Sequence, residues 1–581
     1  MPSGRLSRDD QLPFLVRDTI GPRRSTAMAV GRFWRSMPRL VRSLLLLATI
    51  VTFFFTVRVL GSTGSQDSTN EILEQGEIQA RIDNRNEIVE NRDQEQQAVA
   101  SNEKNEIREQ LNGPSLDSGL PHFKGPSNDR QRAVVSAFQY AWRAYKKDAW
   151  GHDQLKPISR SYSDWFDTGL TIVDGLDTAI IMGLKKEVAE ATEWIRSSLS
   201  FEKDRYVNFF ESSIRILGGL LSAYHLTGDQ MFADRAKDVG IRLTGAWTHS
   251  PSSIPFSDVN LKTKAAKGPN WGADSSLSEA TTVQLEYRDL SRITGDVTFE
   301  QRAFNTSTHI HEIGCAKHGG LCDMFVNAQT GKFKTGTTIT FGARADSYYE
   351  YLLKQYLQTG KTIPWLLSDY SEAMDSMERL LLRESQPHKL RFVGELLSGD
   401  AYSPKMDHLV CFLSGTLVLG NLYAGQPEKH LQIAKDLGEA CHAMYETATG
   451  LAPEIAYFNM DVNKEEDVII KPLDSHCLLR PEAIEAWFYL YRATGDKKYQ
   501  EWGWNAFQAI EKYARIESGG YSSVNNVKTT KVTYRDLMES FFLAETLKYL
   551  YLLLADGQTT LLPLDKWVFN TEGHPLPIRD H

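Results

Sequence analysis

Six separate stretches of this sequence place an acidic or imidazole side chain at the start of a long apolar run. Glu211 opens ESSIRILGGLLSAYHLTGD, Glu279 lies in SEATTVQLEYRDLSRITGD, and Asp346 in GARADSYYEYLLKQYLQTG. His408 opens HLVCFLSGTLVLGNLYAG, Glu482 lies in LLRPEAIEAWFYLYRATGD, and Glu539 and Glu545 open ESFFLAETLKYLYLLLADG. Each acid or imidazole stands roughly four helical turns, or ~20 Å, before a glycine-containing turn. In the fifth stretch Pro481 suits a first helical turn, and Glu482 and Glu485 then share one face. Taken singly, such acids fit a surface helix with carboxylates at its positive dipole end. Their common register argues instead that acids from distant parts of the chain converge on one cavity. Arg215, Arg344 and Arg480, close in sequence to three of them, would lower some carboxylate pKa values while burial raises others. Two carboxylates with separated pKa values are what glycoside hydrolysis requires, one giving a proton to the leaving oxygen and one activating water.

Other chemistries lack their residues. The sequence holds no Ser-His-Asp motif, P-loop, HExxH, or GxGxxG after a strand. Its Cys and His form no zinc set. A hard cation with oxygen ligands suits an acid-lined cavity. Gly218-Gly219 lies inside an apolar helix and reads as a place of close helix packing, not as a phosphate cradle.

The elements that must carry these residues are marked by recurring turns. Thr227-Gly228-Asp229, Thr294-Gly295-Asp296 and Thr494-Gly495-Asp496 are joined by Thr359-Gly360-Lys361 and Ala424-Gly425-Gln426, at steps of 65 to 70 residues. Each follows an apolar helix and precedes an amphipathic one, as in 232–244 and 428–445. Met182-Gly183 and Asp556-Gly557 extend the series at its two ends. The period predicts about seven helix hairpins, an all-α fold. These form either a closed ring of inner against outer helices or an open solenoid of the same period. Strand signals are sparse, with 336–341 and 519–524 as short hairpin arms.

Apolar content of 41% and charged content of 24% are globular values, and the net charge of −9 argues against nucleic acid as a partner. Residues 1–42 are Arg-rich, with Arg32, Arg35, Arg39 and Arg42 close before the apolar run 43–61. That run is long enough to cross a bilayer, and the arginines before it predict a cytoplasmic tail and a lumenal remainder, a single-pass type II membrane protein. A cleaved signal peptide is the competing reading. It fits less well because the run lies far from Met1 and has no A-x-A site. Residues 62–128 are polar and charge-mixed and read as a largely disordered lumenal stem. The segment 129–581 has the composition of one folded domain. Five cysteines are too few for a disulfide scaffold, and Asn305-Thr306-Ser307 is an N-glycosylation sequon.

The segment from Asp129 to Ile578 resembles the class I α-1,2-mannosidases, glycoside hydrolase family 47. The motifs are GLTIVDGLDT (169–178), FESSIRILGGLLSAYHLTGD (210–229), GARADSYYEYLLKQ (342–355), HLVCFL (408–413), LLRPEAIEA (478–486), ESFFLAETLKYLYLL (539–553) and VFNTEGHPLPI (568–578). The resemblance implies an (α/α)7 barrel and a Ca²⁺-dependent, inverting hydrolase of terminal α-1,2-linked mannose on high-mannose N-glycans. It implies Glu211, Asp346 and Glu482 as the reacting carboxylates: Glu211 as acid through a water, Glu482 as base, Asp346 assisting. Thr571 would ligate Ca²⁺, with Glu485, Glu545 and Glu572 holding its waters. Arg215, Glu279, His408, Arg480 and Phe541 would line the sugar site. Cys411 and Cys441 match the family's paired cysteines, which leaves Cys477 as a buried thiol and Cys315 and Cys322 either paired or free. Arg344 resembles the endoplasmic-reticulum branch, which implies trimming Man9GlcNAc2 to one Man8GlcNAc2 isomer in glycoprotein quality control, in the endoplasmic reticulum membrane or early Golgi. The alternatives are a Golgi-type enzyme trimming to Man5 and a glycan-binding degradation factor with little turnover.

Overall fold

The Thr-Gly-Asp turns work as combined stop and start signals. Gly228, Gly295 and Gly495 each close a helix in the left-handed conformation, with φ of 70–71°. A β-carbon is disfavoured there, so glycine ends the helix cleanly. The aspartate that follows turns its carboxylate onto the next helix: Asp229 accepts from the Met231 N–H, Asp296 from Thr298 and Asp496 from Lys498.

A computed structural model describes residues 120–269, 272, 274–557 and 561–579. The tail 1–42, the apolar run 43–61 and most of the stem lie outside these residues. Among the described residues no helix is long and apolar enough to cross a membrane.

The main helices are α1 (Asp129–Asp148), α2 (Leu170–Ile181), α3 (Lys185–Ser197), α4 (Gly218–Thr227), α5 (Gln230–Leu243), α6 (Gln284–Thr294), α7 (Thr298–Ile313), α8 (Asp346–Gln358), α9 (Pro364–Leu380), α10 (Phe412–Tyr423), α11 (Glu428–Ala443), α12 (Glu482–Thr494), α13 (Lys498–Tyr513) and α14 (Leu547–Leu553). Even-numbered helices pack on one another in order, and α14 with the turn before it packs back on α2. Odd-numbered helices cover them from outside: α3 on α2, α5 on α4, and so on to α1 on α14. The ring closes, so the solenoid alternative does not hold. Sequence chemistry follows the two layers. Every residue of α2 is buried, whereas α3 buries only Glu187, Ala191 and Ile195. An element apolar all round belongs inside, and one with a single apolar stripe belongs on the rim.

Strands are more numerous than expected. Among the described residues seven two- or three-stranded sheets occur, and 336–341 and 519–524 are not strands but carry isolated bridges such as Ile339–Leu396 and Val524–Tyr534. Strands of two to four residues are too short to show a period in sequence.

One hairpin, Trp567–Phe569 with Pro575–Pro577, fills the ring. Its tip bonds to inner elements all round. Asn570 donates to the Ile214 carbonyl and Glu286, His574 meets Asp174 and Asp177 of α2, and Lys548 of α14 donates to the Gly573 carbonyl. Phe569 packs on Phe488 and Tyr549. Gly218 and Gly219 serve this packing. A β-carbon on Gly218 would stand 2.6 Å from Asn570 Nδ2, and one on Gly219 2.9 Å from the Val173 carbonyl oxygen.

Disulfides join Cys411, just before α10, to Cys441 of α11, and Cys315 to Cys322; Cys477 is free and buried. Asn305 is exposed on α7.

Candidate active site

The acids gather because inner helices begin at one end of the ring, several of them irregularly. A single turn, Phe209–Ser212, passes into a π-helical turn, Ser213–Leu217, before α4. The short helix Leu277–Thr281 breaks at Thr282 before α6, a 3-10 turn His408–Cys411 precedes α10, and a π-helical turn Phe542–Thr546 precedes α14. Irregular turns of this kind are frequent at functional sites. They also correct an expectation: Glu545 lies inside the π turn, not at the opening of its helix, whereas Glu539 stands just before it.

Two hydrogen-bonded arms meet at Phe541. On one, the Asn208 side chain caps the turn by accepting from the Glu211 N–H and donates to Glu279. Arg215 Nε donates to Glu211 at 2.8 Å, and the same guanidinium pairs with Glu572 and lies 3.7 Å from Asp174. Burial opposes the charge of Arg215, but these three carboxylates outweigh it and hold the guanidinium firmly protonated. On the other arm, His408 Nδ1 lies 2.8 Å from Glu482 Oε2, and Arg480 bonds to Glu454 with its Nη1 3.9 Å from Glu482. Burial pushes the Glu482 pKa up, yet His408 and Arg480 together bring it below the usual range. Glu482 is therefore ionised. The Arg215 and Arg480 guanidinium carbons stand 5.8 and 5.6 Å from the Phe541 ring centre, one from each arm.

Asp346 differs from both. Ser278 Oγ donates to it at 2.7 Å and the Ser347 N–H at 2.8 Å. Burial nevertheless raises its pKa to about 7, with the charges of Glu350 and Asp407 adding to the rise. The Ser278 N–H bonds to the carbonyl of Arg344, which has φ of 84° and lies over Phe325.

Beneath lies a group of buried carboxylates. Glu485 is raised to about 8, first by burial and then by Glu350 and Glu482. Glu545 and Glu572 are raised well above the normal value, first by burial; Glu572, Glu482 and Glu485 then add to it at Glu545, and Asp174 and Glu211 at Glu572. Beside them Thr571 sits partly exposed at the hairpin tip, its N–H on the Tyr351 hydroxyl. Among the described residues no three His, Cys, Asp or Glu side chains are arranged to grip a metal directly.

The structure thus brings Glu211, Arg215, Glu572, Glu279, Phe541, Arg480, His408 and Glu482 into linked contacts. Arg344 is tied instead to Asp346, through Ser278, which bonds to both. Several residues bonded into this network escaped sequence reasoning: Asn208, Ser278, Glu454, and the buried set Asp174, Asp177, His574 and Lys548. Their signal was present, since Asp174 and Asp177 interrupt the apolar GLTIVDGLDT and Lys548 interrupts a run of Leu and Tyr.

Comparison with known proteins agrees with this geometry. The sequence profile described as glycosyl hydrolase family 47 matches residues 137–578. The chain is 54% identical over 456 residues to the endoplasmic reticulum mannosyl-oligosaccharide 1,2-alpha-mannosidase of Rattus norvegicus, covering 78% of this chain and 69% of that one. It is 44% identical over 518 residues to the mannosyl-oligosaccharide 1,2-alpha-mannosidase MNS3 of Arabidopsis thaliana, with 81% of each chain covered. The solved alpha-1,2-mannosidase from Trichoderma reesei superposes with a TM-score of 0.72 at 30% identity, covering 78% of this chain and all of that one. With a matched profile over most of its length and a ring of helices that carries converging carboxylates, the chain belongs to glycosyl hydrolase family 47.

Proposed function

We propose that this chain is a glycosidase that removes terminal α-1,2-linked mannose from high-mannose N-glycans, with inversion at the sugar carbon. The observation that carries the reading is the pair of carboxylate-bearing arms that meet at Phe541. Glu482, kept ionised by His408 and Arg480, is the base that takes a proton from the attacking water. Glu211, on the other arm and bonded to Arg215, passes a proton through a water to the glycosidic oxygen. An inverting glycosidase needs one carboxyl group to protonate the leaving oxygen and a second to activate water on the other face of the sugar. Asp346, with its pKa near 7, assists as the carboxyl that holds a proton near neutral pH. Arg215, Glu279, Arg344, His408, Arg480 and Phe541 line the sugar.

The buried carboxylates suit a calcium ion. Glu485, Glu545 and Glu572 crowd one another with too little positive charge between them, and Thr571 offers a hydroxyl and a carbonyl oxygen at the same place. A hard divalent cation with oxygen ligands relieves such crowding. Held by Thr571, with waters anchored on those glutamates, calcium would bind sugar hydroxyls and favour the distorted ring of the transition state.

The identity to the rat enzyme and the large cation at Arg344 support the endoplasmic-reticulum specificity, Man9GlcNAc2 to a single Man8GlcNAc2 isomer. The arginines before the apolar run 43–61 support a type II anchor in that membrane, with the barrel in the lumen. Digestion of Man9GlcNAc2 with isomer assignment over time tests the specificity. Accumulation of one Man8 isomer is expected, and rapid progress to Man5 at low enzyme would refute it in favour of Golgi-type trimming. Absence of any released mannose with calcium present would leave only glycan binding.

A further inference from the structure

His408 meets Glu482 through Nδ1, and its other ring nitrogen, Nε2, lies 3.1 Å from the Tyr445 hydroxyl. The reaction outlined above makes no use of that hydroxyl, yet both of its neighbours are held in place. The His408 backbone N–H donates to the Glu454 carbonyl at the start of the 3-10 turn. Tyr445 stands just after α11 with its N–H on the His442 carbonyl, and its ring packs on Trp487 at 5.3 Å and 57°. Glu454, Cys477 and Arg480 line a cavity of about 10 Å³ together with His408 and Tyr445, which is space for about one water. Glu454 and Arg480 bond to each other at 2.5 Å, and Cys477 Sγ accepts from the Leu479 N–H at 3.4 Å. The phenol is the group that reaches Nε2.

The two ring nitrogens have different needs. An ionised carboxylate only accepts hydrogen bonds, so the nitrogen that faces Glu482 must carry a proton. A neutral imidazole then leaves Nε2 bare, and a bare nitrogen needs a donor. A phenol supplies one for as long as it keeps its proton. Burial, with the charges of Cys477, Glu482 and Glu454 adding to it, holds the Tyr445 pKa well above its ordinary value, so the O–H persists at neutral pH. We propose that Tyr445 is a positioning residue for the base: by donating to Nε2 it fixes His408 in the tautomer whose Nδ1–H faces Glu482. This role presupposes Glu482 as the base of the reaction proposed above. The opposite tautomer would turn a bare lone pair towards the carboxylate. Burial raises the Glu482 pKa, and the bond from His408 comes first among the contacts that bring it down. The hydrogen bond made by one imidazole nitrogen decides which nitrogen holds the proton. A water in place of the hydroxyl can donate or accept, and so would hold neither tautomer.

The test follows Man9GlcNAc2 hydrolysis against pH on the full chain with calcium. Tyr445→Phe keeps the ring on Trp487 and removes the hydroxyl alone. The acidic limb of kcat/KM, which reports ionisation of the base in the free enzyme, moves up by about one pH unit, the size expected of one hydrogen bond. On the plateau KM stays within about twofold, because the groups that line the sugar are untouched. Tyr445→Leu, which also lacks the hydroxyl, shows the same shift and covers the case in which the phenylalanine variant folds poorly. In a His408→Ala background Tyr445→Phe moves the limb no further, since a residue that acts through His408 then has nothing to act on. A limb that stays put in both single variants, or one that still moves in the His408→Ala background, overturns the proposal. Glu482→Gln separates this role from the reaction beneath it. Turnover retained in that variant removes Glu482 as the base, whereas turnover lost there with an unmoved limb in Tyr445→Phe overturns the role of Tyr445 alone.

Discussion

Lys548→Met probes the charge network under the site. The Lys548 ammonium lies 2.8 Å from Asp177 Oδ1 and donates to the Gly573 carbonyl at 2.6 Å, and both ionic side chains are fully buried. Methionine nearly matches the lysine stem, so packing is largely kept and the charge is what is removed. Breaking a buried pair by deleting one partner destabilises by about 3–5 kcal/mol. The bared Gly573 carbonyl adds about 1–3 kcal/mol, and His574, which still meets the other oxygen of Asp177, offsets part of the sum. The net expectation is a loss of about 3–5 kcal/mol, at least a hundredfold in the folded-to-unfolded ratio. Denaturant unfolding followed by tryptophan fluorescence measures it. Lys548→Met combined with Asp177→Asn recovers much of the loss, because no bare carboxylate then remains. The pH dependence gives a second check. Burial raises the Asp177 pKa, but Lys548 and His574 more than reverse this and hold it low. Stability from Asp177 is therefore present above the ordinary carboxylate pKa and is lost as pH falls through the depressed folded value. Without Lys548 that folded value rises, so the variant unfolds in acid at a higher pH than wild type. A single-variant loss under about 1 kcal/mol, or a double variant as unstable as the sum of its parts, would refute the reasoning.

Glu482→Gln leaves the unfolding transition near wild type and lowers kcat by about 10²-fold or more, since the amide cannot take a proton; unchanged turnover removes Glu482 from the mechanism. Ser278→Ala deletes a bond that favours the ionised Asp346, so the pKa rises above about 7 and the basic limb of kcat/KM moves to higher pH; a limb that stays put detaches Asp346 from the reaction. Calcium chelation lowers both activity and Tm, and Thr571→Val lowers the calcium response, as expected for a ligand that binds the native state alone; if neither quantity changes on chelation, the Thr571 assignment fails. His574 is pushed down by burial but raised overall by Asp177 and Asp174, so its stability contribution is complete below the unfolded histidine pKa of about 6.5 and lost as pH rises through the folded value. His574→Gln flattens that part of the stability profile, and a profile identical to wild type would exclude His574 as its source.

Much of the ring was legible because its punctuation is local. Thr-Gly-Asp ends one helix and caps the next using only neighbouring atoms, so Gly228, Gly295 and Gly495 can be read from the sequence without knowing the fold. The carboxylates at the helix starts were legible through their register with those turns. What the sequence hid depends on partners far away. In FNTEGHPLPI the polar Asn570, Glu572 and His574 look like surface residues, yet all three are buried, because groups from distant helices satisfy them. The π-helical turns at 213–217 and 542–546 leave no periodic trace, since one extra residue per turn is invisible within five positions. The charge states of these acids were not legible at all. Glu482 and Asp346 are both first-turn acids, and only burial combined with the identity of their hydrogen-bond partners sets one low and the other near 7.

The hairpin at 567–577 follows every helix of the ring in the chain. During synthesis the barrel wall emerges first, and for a time it encloses Asp174, Asp177, Arg215 and Lys548 without the tip that pairs with them. Thr571 and Glu572 arrive in that same last segment. Completion of the candidate site thus waits on a segment that follows the whole wall: a chain stopped before residue 567 keeps Lys548 against Asp177 and Arg215 against Glu211, but lacks the Glu572, His574 and Gly573 groups that complete both pairs.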